Sequence, residues 1–95
     1  MNTNFSFLSK TPLEIQKLIA QRIRTIRRQR KISQQALSCL SDVSLGSIKR
    51  FEQSGEISLH SLIKIAFALN LNHELEHLFE DIPPSSIEEI IHGQN

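Results

Sequence analysis

Two sets of residues in this 95-residue chain have types and spacings that could do chemistry. The first is a run of cations, Arg22, Arg24, Arg27, Arg28, Arg30 and Lys31, followed at once by SQQALSCLSDVSLGSIKRFE, residues 33–52. Clustered Lys and Arg neutralise phosphates, so this set could hold a nucleic-acid backbone. The second is His73-Glu74-Leu75-Glu76-His77, which fits H-E-x-x-H, the spacing that sets two zinc-binding imidazoles on one helix face with a Glu as general base. A catalytic zinc also needs a third protein ligand and an open position in a shaped pocket. The apolar residues Leu71, Leu75, Leu78, Phe79 and Ile82 lie roughly opposite the histidines, which places the pair on the solvent side. The spare histidine of that region, His92, lies beyond the Pro83-Pro84 break, and His60 reads as a surface residue. The expectation is therefore no enzyme, no metal and no cofactor.

Elements that could position the cations follow from periodicity and caps. Thr11-Pro12-Leu13-Glu14 opens a helix: Thr caps, Pro fits the first helical position, and Glu closes a capping box. Ile15, Ile19, Ile23 and Ile26 recur at helical spacing, predicting a first helix over residues 12 to about 30. Arg24, Arg27, Arg28 and Lys31 are expected on its other face. Ser33 caps a second helix to about residue 41, with Ala36, Leu37 and Leu40 inward, and Asp42-Val43 forms a turn. Ser44 caps a third helix over residues 45–53 with Ile48 and Phe51 inward, and Gly55 ends it. Ser58 caps a fourth, residues 59–69, apolar on most of its circumference and so expected at the centre of the core. A fifth is expected from residue 72 to about 81. After Pro83-Pro84, Ser85/Ser86 with Glu88/Glu89 could cap a short last helix carrying Ile87, Ile90 and Ile91. No strand signal is present. The fold class expected is all-α: five helices over residues 11–82, a flexible arm at 1–10 and an appendage at 83–95.

Net charge is +1, yet the charge is split. Residues 1–50 hold ten Lys/Arg against two Asp/Glu, a balance of +8, and residues 51–95 hold Lys64 against eight Asp/Glu, a balance of −7. The basic half suits a polyanion, and the acidic half should face away from it. No apolar run approaches a membrane span. The segment MNTNFSFLSK lacks a secretory pattern, so a cytoplasmic, nucleoid-associated location is expected. Cys39 is the one cysteine, which rules out an internal disulfide; a buried or half-buried inert thiol is expected.

Residues 22–69 resemble the Cro/C1-type (XRE) helix-turn-helix domain. The matching features are I-x-x-I-R at Ile23, I-S-Q at Ile32, V-S at Val43 and I-K-R-F-E at Ile48, with no gap from Gln34 to Ile48. Ser38 stands where the family usually has Ala, Asp42 where it usually has Gly, and Leu40 where it is usually polar. Asp tolerates the left-handed conformation better than most residues, so the turn should survive. SLGSIKRFEQSGEISLHSLIKIAFALN, followed by an acidic leucine-containing helix, is similar to the HipB-like antitoxins. Those bind operator DNA as dimers, repress their own operon and associate with HipA-like kinase toxins. The alternative is a stand-alone or phage-type regulator of the same family, and a third reading is an interaction adaptor without DNA binding.

The resemblance implies the residues of a DNA interface. Base-facing positions carried over to this chain are Ser44, Leu45, Gly46, Ser47 and Lys49. Serine hydroxyls can bond base edges, Leu45 can touch a thymine methyl, and Lys49 can reach guanine O6/N7 or a phosphate. Gly46 either lets backbone approach DNA or simply gives clearance. Gln34 matches the family's phosphate-contacting glutamine, and Arg27, Arg28 and Arg50 are expected phosphate contacts unless they pair with Glu52 or Glu56. Arg30 could instead be structural. Partners implied are double-stranded operator DNA, a second copy of the chain and a HipA-like kinase, with no membrane. Apolar candidates for the dimer surface are Phe79, Ile82, Ile87, Ile90 and Ile91; Phe5, Phe7 and Leu8 could cover the domain, the mate or the toxin.

Overall fold

Five helices are joined by turns whose residues each have a local reason to be there. The computed structural model describes residues 9–82, 84 and 85. They form α1 (Pro12–Gln29), α2 (Gln34–Ser41), α3 (Leu45–Ser54), α4 (Leu59–Ala68) and α5 (Asn72–Glu76), with no strand among them. The expected arm, apart from Ser9 and Lys10, and the last helix with Ile87, Ile90 and Ile91 lie outside the described residues. Helix starts follow the caps. Thr11 and Glu14 close the capping box, Thr11 N–H donating to Glu14 Oε1 at 2.8 Å and Glu14 N–H to Thr11 Oγ1 at 3.1 Å. Ser33, Ser44 and Ser58 each accept from the backbone N–H three residues on. Each such bond satisfies an amide that the helix cannot.

The turn between α2 and α3 is built by hydroxyls. Asp42 sits in the left-handed region (φ 60°), where the family's glycine would be. Ser38 donates its hydroxyl to the Val43 carbonyl at 2.6 Å, and buried Ser41 donates to Leu37 O at 2.7 Å and accepts from Val43 N–H at 3.3 Å. Lys64 Nζ stands 3.6 Å from Asp42 Oδ2. The Ser38 departure thus supplies a bond across the turn that an alanine would lack.

The core is Ala20, Ile23, Leu37, Val43, Ile48, Phe51, Ile65 and Leu69. A fully buried aliphatic or aromatic side chain of this size contributes roughly 1.5–3 kcal/mol. α1 packs on α3, α2 on α3 and α4, and α4 on α5. Expectations for α1, α2, α4 and α5 change here. On α1 the face that meets α3 runs Gln16, Ala20, Ile23, Arg27, and Ile15 and Ile19 are exposed. Gly55 is the reason. Its backbone lies against Gln16 so closely that a Cβ would stand 2.9 Å from the Gln16 carbonyl carbon, and the small Ala20 one turn on keeps the helices near. On α2, Leu40 and Cys39 are exposed, because α2 turns only Leu37 and Ser41 fully inward.

α4 is a flank of the bundle rather than its centre. Ile65 and Ala66 are buried, but Leu59 and Phe67 remain 67% and 59% exposed. Among the described helices, α4 packs mainly on α2 and α5. α5 stops after five residues instead of about ten. It has no side-chain cap, its hydrogen bonds tighten to Leu78 N–H→Leu75 O and Glu80 N–H→His77 O, and Phe79 turns left-handed at φ 61°. Leu78, Phe79 and Ile82 are exposed in consequence.

Candidate nucleic-acid interface

α3 starts at Ser44 and presents the carried-over residues from its first turns. Ser44 Oγ accepts from Ser47 N–H at 3.1 Å and donates to Ser47 Oγ at 2.8 Å, so the two hydroxyls act as one polar unit at the helix start. Both are exposed, Leu45 is half-buried, and Gly46 is exposed with nothing within 4 Å of where a Cβ would point. The surface at Gly46 is open, which suits either close approach or clearance. Lys49 is exposed one turn later.

Beside Lys49 lies an open cleft of about 620 Å³ between α1, the start of α2 and α3. Arg24, Arg28, Ser33, Gln34, Lys49 and Gln53 line it, with Arg27 and Glu52 below. Glu52 organises this region. Its carboxylate accepts from Arg27 Nε at 2.7 Å and Nη2 at 2.9 Å and from Gln34 Nε2 at 3.0 Å, and Arg24 Nε stands 4.0 Å away. Arg27 Nη1 also donates to Ile32 O at 2.7 Å. The Arg27 and Glu52 side chains are only 9% and 4% exposed. Arg27 is thus an internal tie between α1, the α1–α2 turn and α3, placed on the α3-facing side of α1 and not on the outward face expected for it. Because its charge is cancelled by Glu52, the cations left at the mouth are Arg24, Arg28 and Lys49.

On the far side of α3, Arg50 reaches Glu56 Oε1 from Nε at 2.8 Å and Nη2 at 2.6 Å. A second cleft, about 320 Å³, opens there between Ser47, Arg50, Glu56, Ile57, Ser58 and Ser61. Arg30 donates from Nη1 to the Leu69 carbonyl and so fastens the end of α1 to the end of α4. The site therefore gathers Ser44, Leu45, Gly46, Ser47 and Lys49 on one short helix start, sets Gln34 and Arg28 beside it, and uses Arg27 for structure. Arg24 was missed as a cleft residue. Its signal was present: it lies one turn before Arg28 on the same helix face.

The histidine motif has no comparable geometry. His77 closes α5 with Nδ1 at 2.8 Å from Glu80 Oε1, and Asn72 Nδ2 donates to Glu76 Oε2 at 3.1 Å. Among the described residues no group of three or more His, Cys, Asp or Glu side chains is placed to hold a metal ion. Nor is any helix of the described residues long and apolar enough to cross a membrane.

No curated protein and no solved structure matches the chain. A family model described as "Helix-turn-helix" matches residues 23–75, from within α1 to within α5 and across both clefts. That match spans more than half of the chain, and with the α2–turn–α3 geometry it identifies the protein as a member of the Cro/C1-type helix-turn-helix family of DNA-binding regulators.

Proposed function

We propose that the protein is an operator-binding repressor that acts as a homodimer, with the start of α3 in the major groove. The observation that carries this reading is the cation mouth of Arg24, Arg28 and Lys49 directly beside the matched motif, over a carboxylate already neutralised by Arg27. Ser44, Leu45, Gly46, Ser47 and Lys49 face base edges. Gln34, Arg28 and Arg50 meet phosphates, and these set register without reading sequence. Hydroxyls, one leucine and one lysine make a thin direct code, so part of the selectivity comes from DNA shape. One such domain reads few base pairs, and a two-fold dimer on half-sites about one helical turn apart supplies the rest.

The protein partner is a HipA-like kinase toxin, and the DNA is the promoter of the shared operon. The resemblance of the α3–α4 segment to HipB-like antitoxins supports this, as do the acidic second half of the chain and the exposed Leu78, Phe79 and Ile82, none of which lines the basic cleft. Affinity purification from the native host tests it, with bound proteins identified and bound DNA sequenced. A stoichiometric kinase-like protein together with the chain's own promoter is the expected result. Promoter DNA without a protein partner would leave a stand-alone or phage-type regulator and end the antitoxin reading.

A further inference from the structure

Arg50 and Glu56 form a pair that the fold assembles with some care and that stability hardly requires. Ser54 Oγ donates to the Arg50 carbonyl at 2.7 Å and accepts from Glu56 N–H at 3.3 Å, so one hydroxyl ties the backbones of both partners. Gly55, locked against Gln16 in the left-handed region, fixes the turn between them. Two guanidinium nitrogens converge on a single oxygen, Glu56 Oε1. A phosphate oxygen would offer the same fork the same acceptor. The pair stands one helical turn beyond Ser47 and shares a cleft with it and with the start of α4. Both side chains are largely in solvent, where such pairs contribute little to stability and open readily.

We infer that Glu56 is a built-in phosphate surrogate: it holds Arg50 in the free protein, competes with the DNA backbone for it, and so sets the affinity of the protein for duplex DNA. This rests on the DNA-binding reading of α3. A carboxylate in this place weakens binding in two ways, through Arg50 and through plain repulsion of DNA, and only the first is specific to the geometry. The test is a double-substitution cycle on the full chain, with affinity for a random-sequence duplex measured by fluorescence anisotropy across a salt series. Glu56→Gln should tighten binding roughly two- to fivefold, the scale of an exposed charge pair, and steepen the log K against log salt slope by about one as Arg50 takes a phosphate. In an Arg50→Gln background the same change should have a clearly smaller effect, the relief of repulsion alone. Equal effects in both backgrounds would mean simple repulsion and overturn the inference, as would an unchanged affinity in Glu56→Gln. Matching unfolding midpoints for the variants would exclude a folding artefact. Wild-type protein that binds no duplex at any salt would instead sink the DNA reading itself, and this inference with it.

Discussion

Arg27–Glu52 and Arg50–Glu56 have the same chemistry and nearly the same length, 2.7 and 2.6 Å at the shortest contact, and each has one partner on α3. They differ in surroundings. The first pair is 9% and 4% exposed and shares its carboxylate with Gln34; the second is 71% and 55% exposed and shares a cleft with water-facing serines. Burial turns an ion pair into a structural commitment, because breaking it strands a charge away from water. Exposure leaves it exchangeable, because water or another anion can replace either partner. The helix proposed to meet DNA is thus anchored on one side and adjustable on the other.

The largest effect expected from breaking this contrast is at the buried pair. Glu52→Ala leaves Arg27 uncompensated and should lower unfolding free energy by about 3–5 kcal/mol in urea titrations. It should also loosen Gln34, so DNA affinity should fall even where the variant stays folded. Added salt should change the stability of the wild type little, since buried pairs are poorly screened. Next is the turn between Arg50 and Glu56. Gly55→Ala forces a Cβ to 2.9 Å from Gln16 backbone at φ 85°, and about 1–3 kcal/mol of lost stability should appear in thermal unfolding. Smaller again is the exposed pair, where Arg50→Gln should shift stability by no more than about 1 kcal/mol. Its effect belongs in DNA affinity instead.

The smallest effect sharpens the contrast at a third carboxylate. Backbone and hydroxyl hydrogen bonds from Thr11, aided by the charge of Lys10, hold the Glu14 carboxyl below its ordinary value of 4.5. A depressed folded value stabilises the protein above the ordinary value, and the contribution fades as pH falls through the lowered one. Glu14→Gln should therefore be slightly less stable than wild type at neutral pH, and the gap should close on acidification below pH 4.5. A gap that widened in acid would reverse the sign of this account.

Where a side chain acts on its own backbone, the sequence was readable. Thr11, Ser33, Ser44 and Ser58 cap because a hydroxyl and an amide three residues on are local partners, and Asp42 turns left-handed for local reasons. Long-range packing was less readable. Ile15 and Ile19 read as core by hydropathy, but the close approach of Gly55 rotates α1 so that Gln16 and Ala20 face α3. Arg27 continues the Ala20–Ile23 face, a charge where an apolar residue would fit. Only its partner Glu52, twenty-five positions away, makes that acceptable. The residues proposed to face bases came into view only through family resemblance, since Ser44, Gly46 and Ser47 alone look like an ordinary helix start. α5 failed because apolar spacing cannot show whether another element is present to cover Phe79, which is 85% exposed.

The central claim is that the start of α3 reads duplex DNA while the neighbouring cations hold its backbone. The most direct measurement is selection of duplexes from a random library by wild-type protein and by a Ser44→Ala/Ser47→Ala/Lys49→Ala variant, followed by salt titrations of both on the selected duplex. The account predicts an enriched, two-fold symmetric motif for the wild type, loss of that enrichment in the variant, and residual salt-sensitive binding through Arg24 and Arg28. Equal enrichment by both proteins, or affinity indifferent to salt, would contradict it.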